Sequence, residues 1–298
     1  MTCLGLTGWY YETGDNVKLE PHPEVVNKQP KVLIVGYGHV GRQVARYFTD
    51  AHYIDIEGSD RRCSDGEIDP SIARYDLGFI CVPTPEGPDG HCDISIVRTV
   101  FTAFSGLASH WCIKSTVEVG TTESLGPNVC MSPEYYGETL GHPLREETPF
   151  VILGGPPETT QAFAIAWSLV TNSYTHIYQT DARTAELCKL MENAFIALKV
   201  SFCNQMYDLA KLADVDWHEL RELWLVDPRV SRSHTYVYPD NRGFGGACLP
   251  KDTANICTWA RAQGTPALLL EAMRIYNKQL RNKEWTSASL SLVAASNS

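Results

Sequence analysis

Lys31-Val32-Leu33-Ile34-Val35-Gly36-Tyr37-Gly38-His39-Val40-Gly41 decides the fold. The first five residues are a short apolar run rich in β-branched side chains and closed by glycine, the pattern of a buried strand. An amphipathic segment follows to Phe48, so the order is strand, glycine turn, helix. In a Gly-x-Gly-x-x-Gly turn the glycines allow a tight bend, close backbone approach to a pyrophosphate and close packing of the helix. The helix N-terminus then offers its amides to the phosphate. Gly36, Gly38, His39, Val40 and Gly41 are therefore candidates for dinucleotide contact.

Such a turn is normally completed by an acidic residue at the end of the second strand, roughly twenty residues on, which binds ribose hydroxyls. Asp55, Glu57 and Asp60 compete for that role, and Asp60 best fits the strand end and the spacing from Gly41. Arg61 and Arg62 follow it and would suit a 2′-phosphate, which leaves NADP as an alternative to NAD. Further apolar runs recur between helical patterns at 77–82, 111–115, 129–131, 151–153 and 176–178. Alternating strands and helices imply an α/β protein with a Rossmann-type parallel sheet and its ligand at the carboxyl ends of the strands.

The second half reads as an all-helical domain with one long central helix. Residues 182–213 contain no glycine or proline and carry apolar residues at helical spacing. At 1.5 Å per residue this helix is about 48 Å long, a length suited to a subunit interface. Lys189 and Asn193 are four apart and share one of its faces. A last helix is expected over 266–283, with Pro266 in its first turn. The expected organisation is an N-terminal extension (1–30), a dinucleotide-binding domain (31–180) and a helical dimerisation and catalytic domain (181–298). The extension carries Trp9-Tyr10-Tyr11 and then polar, proline-rich sequence, and is expected to be a loosely packed arm.

The net charge of −10, from 25 Lys and Arg against 35 Asp and Glu, argues against a general binder of nucleic-acid backbones. The ten cysteines form no C-x-x-C pair and show no zinc-like spacing with the nine histidines, so no metal is expected and the thiols read as reduced, in a cytoplasmic protein. No signal peptide and no segment of membrane-spanning length is visible.

Gly243-Phe244-Gly245-Gly246-Ala247-Cys248-Leu249-Pro250-Lys251-Asp252 is the setting of a working thiol. Glycines let the backbone approach a ligand, and Pro250 opens a helical stretch over 253–263 whose N-terminal amides favour a thiolate at Cys248. Lys251 adds a positive charge. A thiolate attacks aldehydes, so the segment points to covalent chemistry on a carbonyl.

This segment resembles the active-site signature of the UDP-glucose/GDP-mannose dehydrogenase family, whose members oxidise a sugar alcohol to a carboxylate with two NAD. The resemblance runs from about Lys31 to about Lys278. Ile80-Cys81-Val82-Pro83-Thr84-Pro85 resembles the family's VPTP strand end, and Lys114-Ser115-Thr116-Val117 its K-S-T-V turn. By that resemblance Val82, Pro83, Thr84, Thr116 and Lys251 line the dinucleotide site, and Thr116 also serves catalysis. Ser132-Pro133-Glu134-Tyr135-Tyr136-Gly137-Glu138 resembles the S/N-P-E-F-L-x-E segment. Its last glutamate, here Glu138, contacts the catalytic water, and its backbone lies along the sugar. Tyr135 and Tyr136 replace the usual Phe-Leu, so the sugar selectivity is expected to differ.

Lys189 and Asn193 match the family's lysine and asparagine, which stabilise an oxyanion and position water. Asp227-Pro228-Arg229-Val230 resembles the D-x-R-I segment, whose arginine reaches the neighbouring subunit's substrate. The resemblance thus implies a homodimer, with Gly245 and Arg229 among the substrate contacts. It also implies a four-electron oxidation of a nucleotide-sugar primary alcohol by NAD, with Cys248 forming a thiohemiacetal and then a thioester while Asp252 and Glu138 order water. Family members continue into another α/β domain, whereas about fifteen residues follow the last expected helix, so a short form is expected. A two-electron β-hydroxyacid dehydrogenase and a non-catalytic NAD-binding protein are the rival readings. Cys248 speaks against the first, because that chemistry needs no thioester, and the retention of Cys248, Lys189 and Asp252 speaks against the second.

Overall fold

The computed structural model describes residues 29–55, 75–136 and 149–282. Most of the 1–30 extension, and with it Trp9 to Tyr11, lies outside the described residues, as do Glu57, Asp60, Arg61, Arg62, Glu138 and the last sixteen positions. The described chain forms two units, one comprising the residues up to Thr84 with Asp93–Lys189, the other Pro85–Cys92 with the residues from Leu190 onward.

The first unit is a seven-stranded sheet. Its elements in chain order are β1 (Val32–Val35), α1 (His39–Tyr47), β2 (His52–Ile54), β3 (Tyr75–Ile80), α2 (Ser95–Phe104), β4 (Ala108–Ile113), α3 (Thr121–Leu125), β5 (Val129–Met131), β6 (Phe150–Gly154), α4 (Pro157–Val170) and β7 (His176–Thr180). The spatial order is β2-β1-β3-β4-β5-β6-β7. The chain turns back on itself beside β1, which pairs with β2 on one side and β3 on the other, both parallel. That reversal opens a crevice at the carboxyl ends of β1 and β3.

Alternation along β1 builds the core. Val32 and Ile34 join Phe79, Phe163 and Trp167 on one face, while Leu33 and Val35 join Ile80, Trp111, Val97 and Val100 on the other. A strand covered on both sides reads as a continuous apolar run, as 31–35 does. Gly78 is required beside Trp111, because a Cβ there would lie 2.5 Å from the indole ring.

Strands β1 to β5 pair in parallel, as expected of a Rossmann-type sheet; β6 then runs antiparallel to β5 through Met131↔Gly154, and β7 is parallel to β6. The apolar pattern of a doubly covered strand is the same in both directions, so it carries no sign of the reversal. The second strand ends at Ile54, and Asp55 follows it directly, while Asp60, the residue expected at the ribose, lies outside the described residues.

The second unit is helical. It takes α5 (Ala182–Leu212) from Leu190 onward, then α6 (Trp217–Trp224), α7 (Leu249–Ala262) and α8 (Leu268–Asn282). Asp181 starts α5 by accepting from the Thr184 amide at 2.8 Å and its hydroxyl at 2.6 Å, and Asp216 caps α6 through the Glu219 amide at 2.8 Å. One core gathers Cys203, Ala210, Trp217 and Val237, another Ala197, Phe244 and Met273. α7 begins four residues earlier than the 253–263 stretch expected, because Pro250 fits the second helical position, where a missing N–H costs nothing.

Candidate active site

The glycine turn fits a dinucleotide. Gly36 has φ +91°, and a Cβ on it would lie 2.5 Å from the Cys81 carbonyl oxygen. A Cβ on Gly41 would lie 2.0 Å from the Gly36 carbonyl oxygen. Only glycine is possible at either place. Gly38, which precedes α1, differs: nothing lies within 4 Å of the Cβ it lacks. That open space at a helix N-terminus is room for an anion. His39 and Val40 open α1, and His39 Nε2 is buried without a hydrogen-bond partner.

Two hydroxyls tie together the neighbouring strand ends. Ser115 donates to the Val82 carbonyl at 2.6 Å, and Thr84 donates to the Thr116 carbonyl at 2.7 Å. Val82, Pro83, Thr84 and Thr116 are thus held together at the carboxyl ends of β3 and β4, with Pro83 exposed and Thr84 buried.

Below them lies a buried cation that sequence reasoning passed over. Lys114 is 4% exposed, and its ammonium donates to Ser132 Oγ at 3.1 Å and the Pro133 carbonyl at 3.4 Å. Burial pushes its pKa down, against the opposing pull of Glu134 and the neighbouring thiols. The same ammonium sits 5.7 Å from the ring of Tyr136, whose phenol burial pushes far up. Tyr135 meets Cys188 at 3.6 Å through its hydroxyl and receives the Lys189 ammonium over its ring at 4.9 Å. The two tyrosines that depart from the family pattern thus each carry a lysine on their ring face.

In the second unit, Cys248 is exposed at the N-cap of α7. One turn further, Asp252 is 1% exposed and accepts from Asn193 Nδ2 and Lys251 Nζ, each at 2.5 Å. Lys251, expected at the cofactor, is in this structure the ion-pair partner of that carboxylate. Lys189 and Asn193 sit on the continuous helix α5, which ends the first unit and opens the second.

The glycine loop before Cys248 is held by a residue with no motif signal. Asn277 of α8 accepts from the Phe244 amide at 2.7 Å and donates to its carbonyl at 3.0 Å. Gly243, at φ +78°, lacks the Cβ that would fall 2.4 Å from Asn277 Oδ1. Gly245 lines a cavity beside this loop. Arg229 is exposed and forks onto Asp227 two residues earlier, at 2.5 to 3.0 Å. Among the described residues no three His, Cys, Asp or Glu side chains gather as metal ligands, and no helix is long and apolar enough to cross a membrane.

A glycine turn at the reversal point of a doubly covered sheet defines a dinucleotide-binding protein. Comparison with known proteins agrees. The UDP-glucose/GDP-mannose dehydrogenase family matches through its NAD binding domain over residues 59–139 and its central domain over residues 183–279. The chain belongs to this family.

A UDP-glucose 6-dehydrogenase of Haloferax volcanii is 28% identical, over 81% of this chain and 68% of its own length. One from Pseudomonas aeruginosa is 28% identical, over 72% of this chain and 50% of its own. This chain therefore spans between half and about two thirds of such relatives. The solved structure of a UDP-glucose dehydrogenase from Pyrobaculum islandicum superposes with a TM-score of 0.72 and 25% identity, covering 88% of this chain and 70% of the other.

Proposed function

We propose that the chain oxidises the primary alcohol of a nucleotide sugar to the uronic acid in a four-electron reaction. It would act as a homodimer in the cytoplasm, with residues 31–180 binding the dinucleotide and 181–298 supplying dimerisation and catalysis. The observation that supports this most is Cys248, exposed at the N-cap of α7, with the buried Asp252 one turn on between Asn193 and Lys251. NAD supplies the hydride acceptor for both oxidations, two molecules for each acid formed. Gly36, Gly38, His39, Val40, Gly41, Asp60, Val82, Pro83, Thr84, Thr116 and Lys251 would hold it, with Asp55 competing with Asp60 for the ribose.

In the first oxidation Asp252, through water, and Lys189 take the hydroxyl proton as the carbinol carbon loses hydride. The Cys248 thiolate then adds to the aldehyde carbon and forms a thiohemiacetal. A second hydride leaves that carbon, giving a thioester, and water ordered by Asp252 and Glu138 cleaves it to the acid and the thiol. Lys189 and Asn193 stabilise the tetrahedral oxyanion, each worth about 3 to 4 kcal/mol when well placed. Arg229 would act across the dimer.

The dimer reading rests on α5. Met191, Phe195, Phe202 and Leu209 are 61%, 62%, 47% and 48% exposed and fall on one helical face at spacings of four, seven and seven. A second copy of the same helix would cover them.

The deciding experiment counts NADH per carboxylate with a panel of UDP- and GDP-sugars. Two NADH per acid, lost in Cys248→Ala, is the expected result. One NADH per turnover with an aldehyde as the final product, unchanged by Cys248→Ala, would overturn the thioester route.

A further inference from the structure

The second unit holds a cavity of about 650 Å³ beside the glycine loop, within the size range of small-molecule sites. Its walls carry four cations, Arg261, Arg274, Lys278 and Arg281, against two carboxylates, Glu86 and Glu271. Arg261 and Glu271 satisfy each other at 2.7 Å. Three cations then remain on α8 at spacings of four and three, which places them on one face. Among the described residues none of the three is in an ion pair; Arg281 donates to the neutral Asn241 Oδ1 at 2.5 Å.

The opposite wall is the loop that Asn277 clamps at Phe244. There Gly246, at φ +80°, has nothing within 4 Å of the Cβ it lacks, and Gly245 would present its own Cβ 3.5 Å from the Arg281 guanidinium. Bare backbone thus lies beside a cationic helix, with open space at Gly246. Guanidinium forks and an ammonium match the several oxygens of a phosphoryl group.

We propose that this cavity is an anion site that takes a phosphate or diphosphate group on Arg274, Lys278 and Arg281. The group belongs either to the nucleotide sugar or to a separate phosphorylated ligand.

Inorganic pyrophosphate titrated calorimetrically into the intact protein tests it, and no turnover is needed, so an inactive enzyme has no bearing on the outcome. Binding is expected, weaker in high salt and reduced about tenfold for each cation lost in Arg274→Gln and Lys278→Gln. Lys278 is exposed, so Lys278→Gln and Lys278→Glu keep the test open if Arg274→Gln does not fold. Arg232→Gln, which removes a cation already paired with Glu222, should bind as the parent does. A raised KM for the nucleotide sugar in Lys278→Glu assigns the site to the substrate's own phosphates, and an unchanged KM assigns it to a separate ligand. Absence of pyrophosphate binding, or equal binding by the parent and Lys278→Glu, overturns the site.

Discussion

Asn193 Nδ2 donates to Asp252 Oδ2 at 2.5 Å, joining α5 to the first turn of α7 within the helical unit. Lys251 occupies the other carboxylate oxygen, so a charge that is 1% exposed has a partner on each side. A buried carboxylate oxygen deprived of its donor costs about 1 to 3 kcal/mol. Asn193→Ala should therefore lower thermal stability as well as kcat. A double-mutant cycle with Asp252→Ala should show coupling of roughly 1 kcal/mol or more. Strictly additive effects on the melting midpoint would remove this pair from the account.

Gly38 and Gly41 should separate folding from cofactor binding. Alanine at Gly41 meets the Gly36 carbonyl oxygen at 2.0 Å, so Gly41→Ala is expected to lose about 2 kcal/mol or more of stability. Gly38 has φ −72° and open space around it, so Gly38→Ala should melt like the parent while binding NAD more weakly, because the methyl group takes the room left for phosphate. Unchanged NAD affinity in Gly38→Ala, measured by fluorescence titration, would place the pyrophosphate elsewhere.

Glu186 reaches from α5 to the start of α3, accepting from the Gly120 amide at 2.6 Å and the Thr122 amide at 2.8 Å with no exposed surface. A glutamine there must turn its NH₂ towards one of two amide donors. Glu186→Gln is expected to cost about 1 to 3 kcal/mol in urea unfolding with an unchanged m-value. A variant as stable as the parent would mean that these two bonds contribute little.

Lys114 gives a pH signature. Burial holds its pKa below the usual 10.5, so between the two values the unfolded chain binds a proton that the folded chain has released. Stability then rises with pH in that window. Melting curves of the parent and Lys114→Met from about pH 7 to about pH 10 should show the parent gaining on the variant as pH rises. A constant difference across the range would mean that the ammonium is not destabilised by its surroundings.

The exposed face of α5 makes an oligomer prediction. Phe195→Glu combined with Leu209→Glu puts charges among Met191 and Phe202 and should halve the mass seen by sedimentation equilibrium, with helical circular dichroism retained. A parent protein that sediments as a monomer would rule out this interface.

The sequence by itself determined the local chemistry. The run 31–35, the glycines after it, the strand at 129–131 and the helix from 182 were legible because each depends on short-range periodicity and on backbone freedom that only glycine has. Gly-Phe-Gly-Gly-Ala-Cys-Leu-Pro-Lys-Asp placed a thiol before a helix for the same reason, although α7 starts at Leu249. What only the tertiary structure decided is which distant groups meet. The reversal at β5 and β6, the strand end at Ile54, the burial of Lys114 under Ser132 and Tyr136, and the grip of Asn277 on Phe244 involve partners with no regular spacing in the chain. Local pattern reports how a segment can fold and which face is apolar. The direction a strand takes, and whether a polar side chain ends in water or against a buried partner, depend on packing across the whole sheet or helical unit.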